Sequence, residues 1–154
     1  QHIVDSGANA MIIRTAWVYS SFGKNFVKTM RKLGADRTEL SVVADQMGAP
    51  TYALDLAQVL LHIIIERTKL QGVEIHHFTN QGTCHWADFA KEIMRLSGLD
   101  CKINEITSDQ YPTPAKRPSY SVLDMDSLYL RFPQARKRSW ESALEECIDV
   151  LEKE

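Results

Sequence analysis

Apolar residues follow two rhythms along this chain, short unbroken runs and stripes at helical spacing, and the two alternate. Ala10-Met11-Ile12-Ile13 is an unbroken run closed by Arg14-Thr15, which predicts a buried strand over 10–14 ending in an exposed loop. Residues 2–8 before it read as a helix tail closed by Gly7. From Asn25 to Leu33 the spacing becomes helical, with Phe26, Met30 and Leu33 on one face and Gly34 as the expected stop. Glu39 to Ala44 is a Val-rich strand. Tyr52 to Arg67 carries the strongest helical pattern, Leu54, Ala57, Leu61, Ile64 and Ile65, with Thr51 as its expected N-cap.

The second half continues the alternation. Ile75 to Thr79 reads as a strand followed by the turn Asn80-Gln81-Gly82. His85 to Ser97 reads as a helix with Trp86, Phe89, Ala90 and Ile93 inward and Gly98 just past its end. Cys101 to Ile106 alternates as an edge strand does. Pro112, Pro114 and Pro118 exclude helix and central strand, so Ser108 to Ser121 is a long loop. Loops of that length are usually functional or disordered. Asp124 to Phe132 is a short helix started by Asp124. Ser139 to Leu151 is an amphipathic helix with Ser139 at its cap and Trp140, Leu144, Cys147 and Leu151 inward. Strands alternating with helices, without repeats, predict an α/β fold.

Composition narrows the function classes. The 154 residues are 44% hydrophobic, enough for one ordinary core. A net charge of -2 with interspersed signs gives no basic footprint, so no nucleic-acid partner is expected. The longest apolar stretch, Val59 to Ile65, is interrupted by His62 and is too short to span a bilayer, so no membrane role is expected. No signal peptide is expected, and Cys84, Cys101 and Cys147 form no C-x-x-C, so a reducing cytoplasm is the expected compartment. His76 and His77 are neighbours on a strand and point to opposite faces, so they cannot chelate together. No metal site and no Ser-His-Asp or Cys-His arrangement is expected.

The candidate chemistry lies in four segments. Arg14-Thr15-Ala16-Trp17-Val18-Tyr19-Ser20 follows the first strand, and ligands of open α/β sheets bind outside the carboxyl ends of strands. Trp17 there is either a platform for a sugar or nicotinamide ring or a core aromatic. Asn25, in Phe22-Gly23-Lys24-Asn25-Phe26, is either a helix cap or part of an anion site at a helix start. Asp45-Gln46-Met47-Gly48-Ala49-Pro50-Thr51 is turn chemistry that needs no ligand. In Pro114-Ala115-Lys116-Arg117-Pro118-Ser119-Tyr120-Ser121, prolines limit what the loop loses on ordering, so Arg117 is partly preorganised for phosphate. The competing reading is a solvated basic turn.

In this order and spacing the four segments resemble the dTDP-4-dehydrorhamnose reductases, which are extended short-chain dehydrogenases/reductases. The resemblance covers nearly the whole chain and matches only the C-terminal half of that family. It implies the C-terminal part of a Rossmann-like fold plus the small substrate-binding domain. Residues 1–51 would form the last part of the Rossmann-like core, and 52–154 mainly the substrate-binding subdomain with interleaved core elements. None of the seven glycines forms a dinucleotide loop, and none of Tyr19, Tyr52, Tyr111, Tyr120 and Tyr129 has a Lys four residues on. The family's catalytic Tyr and Lys would lie just before Gln1, so no catalytic residue is expected here and the chain alone is expected to be inactive.

What the family does then becomes an expectation. The intact enzyme reduces dTDP-4-dehydro-L-rhamnose to dTDP-L-rhamnose with NADPH or NADH, bound mainly by the other half. The resemblance places Trp17 against the sugar ring, Asn25 near the diphosphate, Gln46 near the nucleotide end and Arg117 on phosphate as its loop closes. Thr15 falls near the nicotinamide. The alternatives are a non-catalytic regulatory subunit of the same fold, and a reductase or epimerase of another nucleotide sugar. Surfaces that the other half would cover allow self-association, a homodimer included.

Overall fold

The computed structural model describes every residue except 67, 68, 116 and 154. Apolar runs become strands and apolar stripes become helices, in the order the pattern predicts. Along the chain these are α1 (His2–Asp5), β1 (Ala10–Arg14), β2 (Val18–Tyr19), α2 (Phe26–Asp36), β3 (Glu39–Val43), β4 (Met47–Gly48), β5 (Thr51–Tyr52) and α3 (Ala53–Ile65). Then come β6 (Val73–His77), β7 (Cys84–His85), α4 (Trp86–Leu96), β8 (Lys102–Ile106), one 3-10 turn at Ser108–Gln110, α5 (Asp126–Arg131) and α6 (Trp140–Leu151). Arg67, the last residue of the expected long helix, and Lys116 lie outside the described residues.

The strands pair at a distance. β1 runs parallel to β6, with Ile12 beside Ile75, and β3 runs parallel to β8, with Ser41 beside Asn104. β2 and β5 are also parallel, whereas β4 and β7 are antiparallel. Parallel partners need long crossovers, which the intervening helices supply.

Two apolar cores result. The larger draws on both sides of residue 51, with Val27 of α2 and Leu40 of β3 meeting Phe89 and Ile93 of α4 and Leu144 and Ile148 of α6. The smaller joins Val59 and Ile63 of α3 to Phe78, Leu128 and Phe132, with Met11 and Ile13 of β1 half-buried against it. A buried ion pair ties the two together. Asp55 in the first turn of α3, 1% exposed, faces Arg138 Nε at 3.2 Å, just before α6. Asn80 donates to Asp55 Oδ2 at 2.6 Å and accepts from the Tyr52 amide at 2.8 Å.

Five expectations are corrected. Gly34 does not stop α2; it sits inside it, because a Cβ there would stand 2.4 Å from Met94 Sδ on the crossing helix α4. Thr51 does not cap α3, since its hydroxyl donates to the Ala16 carbonyl instead and Tyr52 holds the N-cap position. Helix α3 is largely apolar, its polar residues Asp55, Gln58 and His62 fall on one stripe, and its buried side is Asp55, Val59 and Ile63. The stripe read from the sequence faces outward: Ile64 is 68% and Ile65 75% exposed. Strand β1 is half-buried along its apolar residues rather than buried. Finally, Asp124 does not start α5: Met125 holds the N-cap position, and Asp124 Oδ1 accepts from the Asp126 amide at 2.8 Å one residue further out. Two helix ends are as expected: Ser139 accepts from the Ser142 amide, and Gly98 takes the left-handed conformation just past α4. No described helix is long and apolar enough to cross a membrane.

Candidate functional site

The first loop begins where β1 ends. Among the described residues, Trp17 is the only non-glycine with positive φ, at 50°. A left-handed residue with a Cβ costs roughly 1–2 kcal/mol. Thr51 holds the backbone in this shape: its amide donates to the Trp17 carbonyl at 3.1 Å and its hydroxyl to the Ala16 carbonyl at 2.7 Å. Thr15 donates in turn to the Thr51 hydroxyl at 3.1 Å. The Trp17 indole lies flat on Trp86, with ring centroids 3.6 Å apart and planes 14° from parallel. The pair is a near face-to-face stack, closer than the offset geometry that aromatic rings favour, and it holds the indole in place.

Tyr19, two residues on, is packing. It is fully buried and stacked on Tyr52 at 5.5 Å, and burial raises its phenol well above the usual range, so it stays protonated. Asn25 caps α2. Its Oδ1 accepts from the Lys28 amide at 3.2 Å, and its Nδ2 donates to the Ser20 carbonyl at 2.7 Å and the Phe22 carbonyl at 3.3 Å. The next residue, Phe26, packs against Trp86 at 4.7 Å, so the cap adjoins the aromatic stack.

The Gln46 and Arg117 segments are sewn together. Gln46 Nε2 donates to Ser108 Oγ at 2.8 Å, while Asp45 accepts from the Ser108 amide at 2.9 Å and hydroxyl at 2.7 Å. Those two donors hold the Asp45 carboxyl below the usual carboxylate range. Further on, the Met47 amide donates to the Ser119 carbonyl and the Ser121 amide donates back to the Met47 carbonyl, at 2.8 and 2.9 Å. The Ser121 hydroxyl donates to the same carbonyl at 3.1 Å. The proline-bounded loop is thereby pinned on both sides of Arg117. An open cleft of about 470 Å³ results, lined by Asp45, Ser108, Asp109, Arg117 and Tyr120 among others.

One short strand carries both halves of this arrangement. Met47 of β4 holds the Arg117 loop, and Gly48 lies against Trp17, where a Cβ would stand 2.5 Å from indole Cε2 and Cζ2. Trp17, Gln46 and Arg117 are therefore brought to adjoining segments, with Thr15 behind Trp17 and Asn25 beyond the aromatic stack. An aromatic surface, acceptors and an exposed guanidinium in one neighbourhood can hold a ring at one end and a phosphate or base at the other.

The model of the RmlD substrate binding domain matches residues 1–153. The chain belongs to that family. The spore coat polysaccharide biosynthesis protein SpsK of Bacillus subtilis is 41% identical over 90% of this chain and 46% of its own length. A solved dTDP-4-dehydrorhamnose reductase from Clostridium acetobutylicum superposes with a TM-score of 0.84 at 45% identity, covering 92% of this chain and 49% of that one. A Bacillus anthracis reductase solved in complex with NADP gives 0.81 at 37% identity, covering 93% and 49%. The chain spans about half the length of the relatives it matches.

Two features of this RmlD-type domain escape a reading of the sequence. Trp86 is legible as an inward residue of α4, but nothing in the pattern pairs it with Trp17. Asp55 reads as an acidic residue complementing a helix start. Its partners Asn80 and Arg138 come from distant segments, and an Asp inside an apolar helix was the one available signal.

Proposed function

We propose that this chain is the sugar-nucleotide-binding part of a reductase that converts dTDP-4-dehydro-L-rhamnose to dTDP-L-rhamnose in the cytoplasm. The observation that carries the reading is β4, which joins the Trp17 ring to the Arg117 cleft. The names of the reductase relatives support the same substrate class. This reading departs from a division at residue 51: because the larger core draws on both sides of that residue, the smaller core is taken as the Rossmann-like part and the larger as the substrate-binding part, interleaved along the chain. Trp17 meets the sugar, Arg117 the diphosphate and Gln46 the nucleotide end, while Asn25 shapes the loop nearest the diphosphate.

NADPH or NADH, when bound, supplies the hydride. Thr15 is the residue of this chain placed to meet it. Its hydroxyl already donates to Thr51, so the oxygen offers lone pairs, which suit an amide N–H such as that of a carboxamide. The remaining contribution of the chain is orientation: fixing the keto carbon relative to the cofactor lowers the barrier without a group of its own reacting.

Calorimetry with dTDP-L-rhamnose, dTDP and UDP tests the reading. Binding that prefers thymidine over uridine nucleotides, and is lost in Trp17→Ala and Arg117→Ala, is the expected result. Equal affinity for uridine and thymidine nucleotides would overturn the choice of sugar nucleotide. Binding that survives both substitutions would move the site elsewhere.

A further inference from the structure

We propose that Trp86 is a positioning residue for the sugar, acting through Trp17. The inference rests on the platform role proposed for Trp17 and adds what fixes that platform.

Bonds from Thr51 fix the Trp17 backbone, but its two side-chain torsions leave the indole plane to be set by its neighbours. One neighbour is Trp86, whose ring lies parallel to it within 14° at 3.6 Å, so a tilt of either ring requires the other to tilt. Trp86 in turn has little freedom. It is the first residue of α4, a helix closed at its start by His85 and Asp88, with the His85 amide donating to Asp88 Oδ2 at 3.1 Å. Phe26 stands against it at 4.7 Å, and Phe26 is itself stacked on Phe89, a fully buried residue of the same helix, at 5.7 Å. Phe89, Phe26, Trp86 and Trp17 form a continuous run of rings from the centre of the larger core to the half-buried edge of the site.

The second neighbour is Gly48. Its φ is ordinary, so the glycine answers to space alone: any Cβ would stand 2.5 Å from two atoms of the Trp17 ring and 2.9 Å from its Nε1. The indole is thus held by Trp86 and by a glycine that only fits without a side chain. A sugar presents C–H groups to an aromatic surface, and that contact depends on the plane of the ring far more than a phosphate contact depends on it. The consequence is selective. Loosening Trp86 weakens the hold on the sugar and leaves the nucleotide end alone.

The experiment compares dTDP-L-rhamnose with dTDP by calorimetry on the natural full-length polypeptide, as wild type, Trp86→Leu, Trp86→Phe and Gly48→Ala. Near-UV circular dichroism of the Trp–Trp pair and thermal melting accompany each variant. In Trp86→Leu the preference for the sugar nucleotide over dTDP is expected to fall about threefold to tenfold, with dTDP affinity unchanged. Trp86→Phe restores most of the preference, since a ring again backs the indole. Gly48→Ala produces a similar loss in a protein that keeps Trp86, and adds little once Trp86 is Leu, because the indole then has room to yield. Full preference in Trp86→Leu, with the Trp–Trp signature gone and the fold intact, would overturn the proposal. So would equal weakening toward both ligands. A wild type that shows no preference for the sugar nucleotide would sink the platform reading itself, a failure visible before any variant is made.

Discussion

Around β3, β8, α2, α4 and α6 apolar side chains find cover on every side, whereas around β1, β6 and α3 many of them face outward. Both regions obey the same rule, a parallel strand pair with a helix packed on it. They differ in how many layers close over it. In the larger region α4 is covered by α2, β8 and α6, and its Ala87, Ala90 and Ile93 are completely buried. In the smaller region α3 covers one side, while Leu61, Ile64 and Ile65 on its far side and Ile75 of β6 are exposed. Parallel sheets are normally covered on both faces. The larger region closes as a complete core, and the smaller leaves the far side of α3 and part of β6 uncovered.

The largest expected effect separates the two directly. Phe89 and Phe78 are each 1% exposed, one in each core. Phe→Ala substitutions in a core cost about 3–5 kcal/mol, and the cost falls where the surroundings can collapse into the space. Phe89→Ala, enclosed by rings and by α6, is expected near the top of that range in denaturant unfolding. Phe78→Ala, in the thinner core, is expected near the bottom. Equal losses would show that the smaller core is as constrained as the larger.

The outward side of α3 gives a smaller effect. Ile64→Lys and Ile65→Lys remove exposed apolar surface, and such changes usually stay within about 0.5 kcal/mol. Stability in denaturant should therefore hardly move, while light scattering should report less self-association. A loss of more than about 1 kcal/mol in the 154-residue chain would mean that this face is covered in solution.

The same contrast explains what the sequence revealed. Helices α4 and α6 separate apolar from polar positions cleanly, so Phe89, Ile93, Leu144 and Cys147 were legible as inward, and they are buried. Helix α3 carries its polar residues Asp55, Gln58 and His62 beside its buried side rather than opposite it, so its period marked a helix without marking which side faces the core. Gly34 reads as a helix stop on propensity alone, and only the crossing of α4 explains why a residue without a side chain belongs inside α2. Among the candidate residues, the prolines made the Arg117 loop legible, but not its bonds to Met47. Trp17 was legible as an aromatic at a strand end. Its left-handed backbone and its partner Trp86 come from segments far apart in sequence, which pattern reading cannot join.

The smallest effect is electrostatic and can be followed at one carboxyl in each region. Asp45 lies below the usual carboxylate range because the Ser108 amide and hydroxyl bond its charged form. Glu74 lies below it chiefly through the Arg131 guanidinium at 3.2 Å, with His76 adding to the effect. Both carboxyls are depressed in the folded chain, so each contribution is complete above the unfolded carboxylate value of about 4 and is lost as pH falls through the lower folded value. Acid titration followed by NMR should release the Ser108 turn and the Glu74–Arg131 pair at pH values below that reference. Salt then distinguishes them. Added salt screens the exposed ion pair and moves the Glu74 midpoint upward, whereas the Asp45 midpoint, set by neutral donors, stays nearly fixed. Equal shifts in both would show that Asp45 is governed by charge, to which His85 contributes, and Asp45→Asn would then lose no more of the cleft than added salt does.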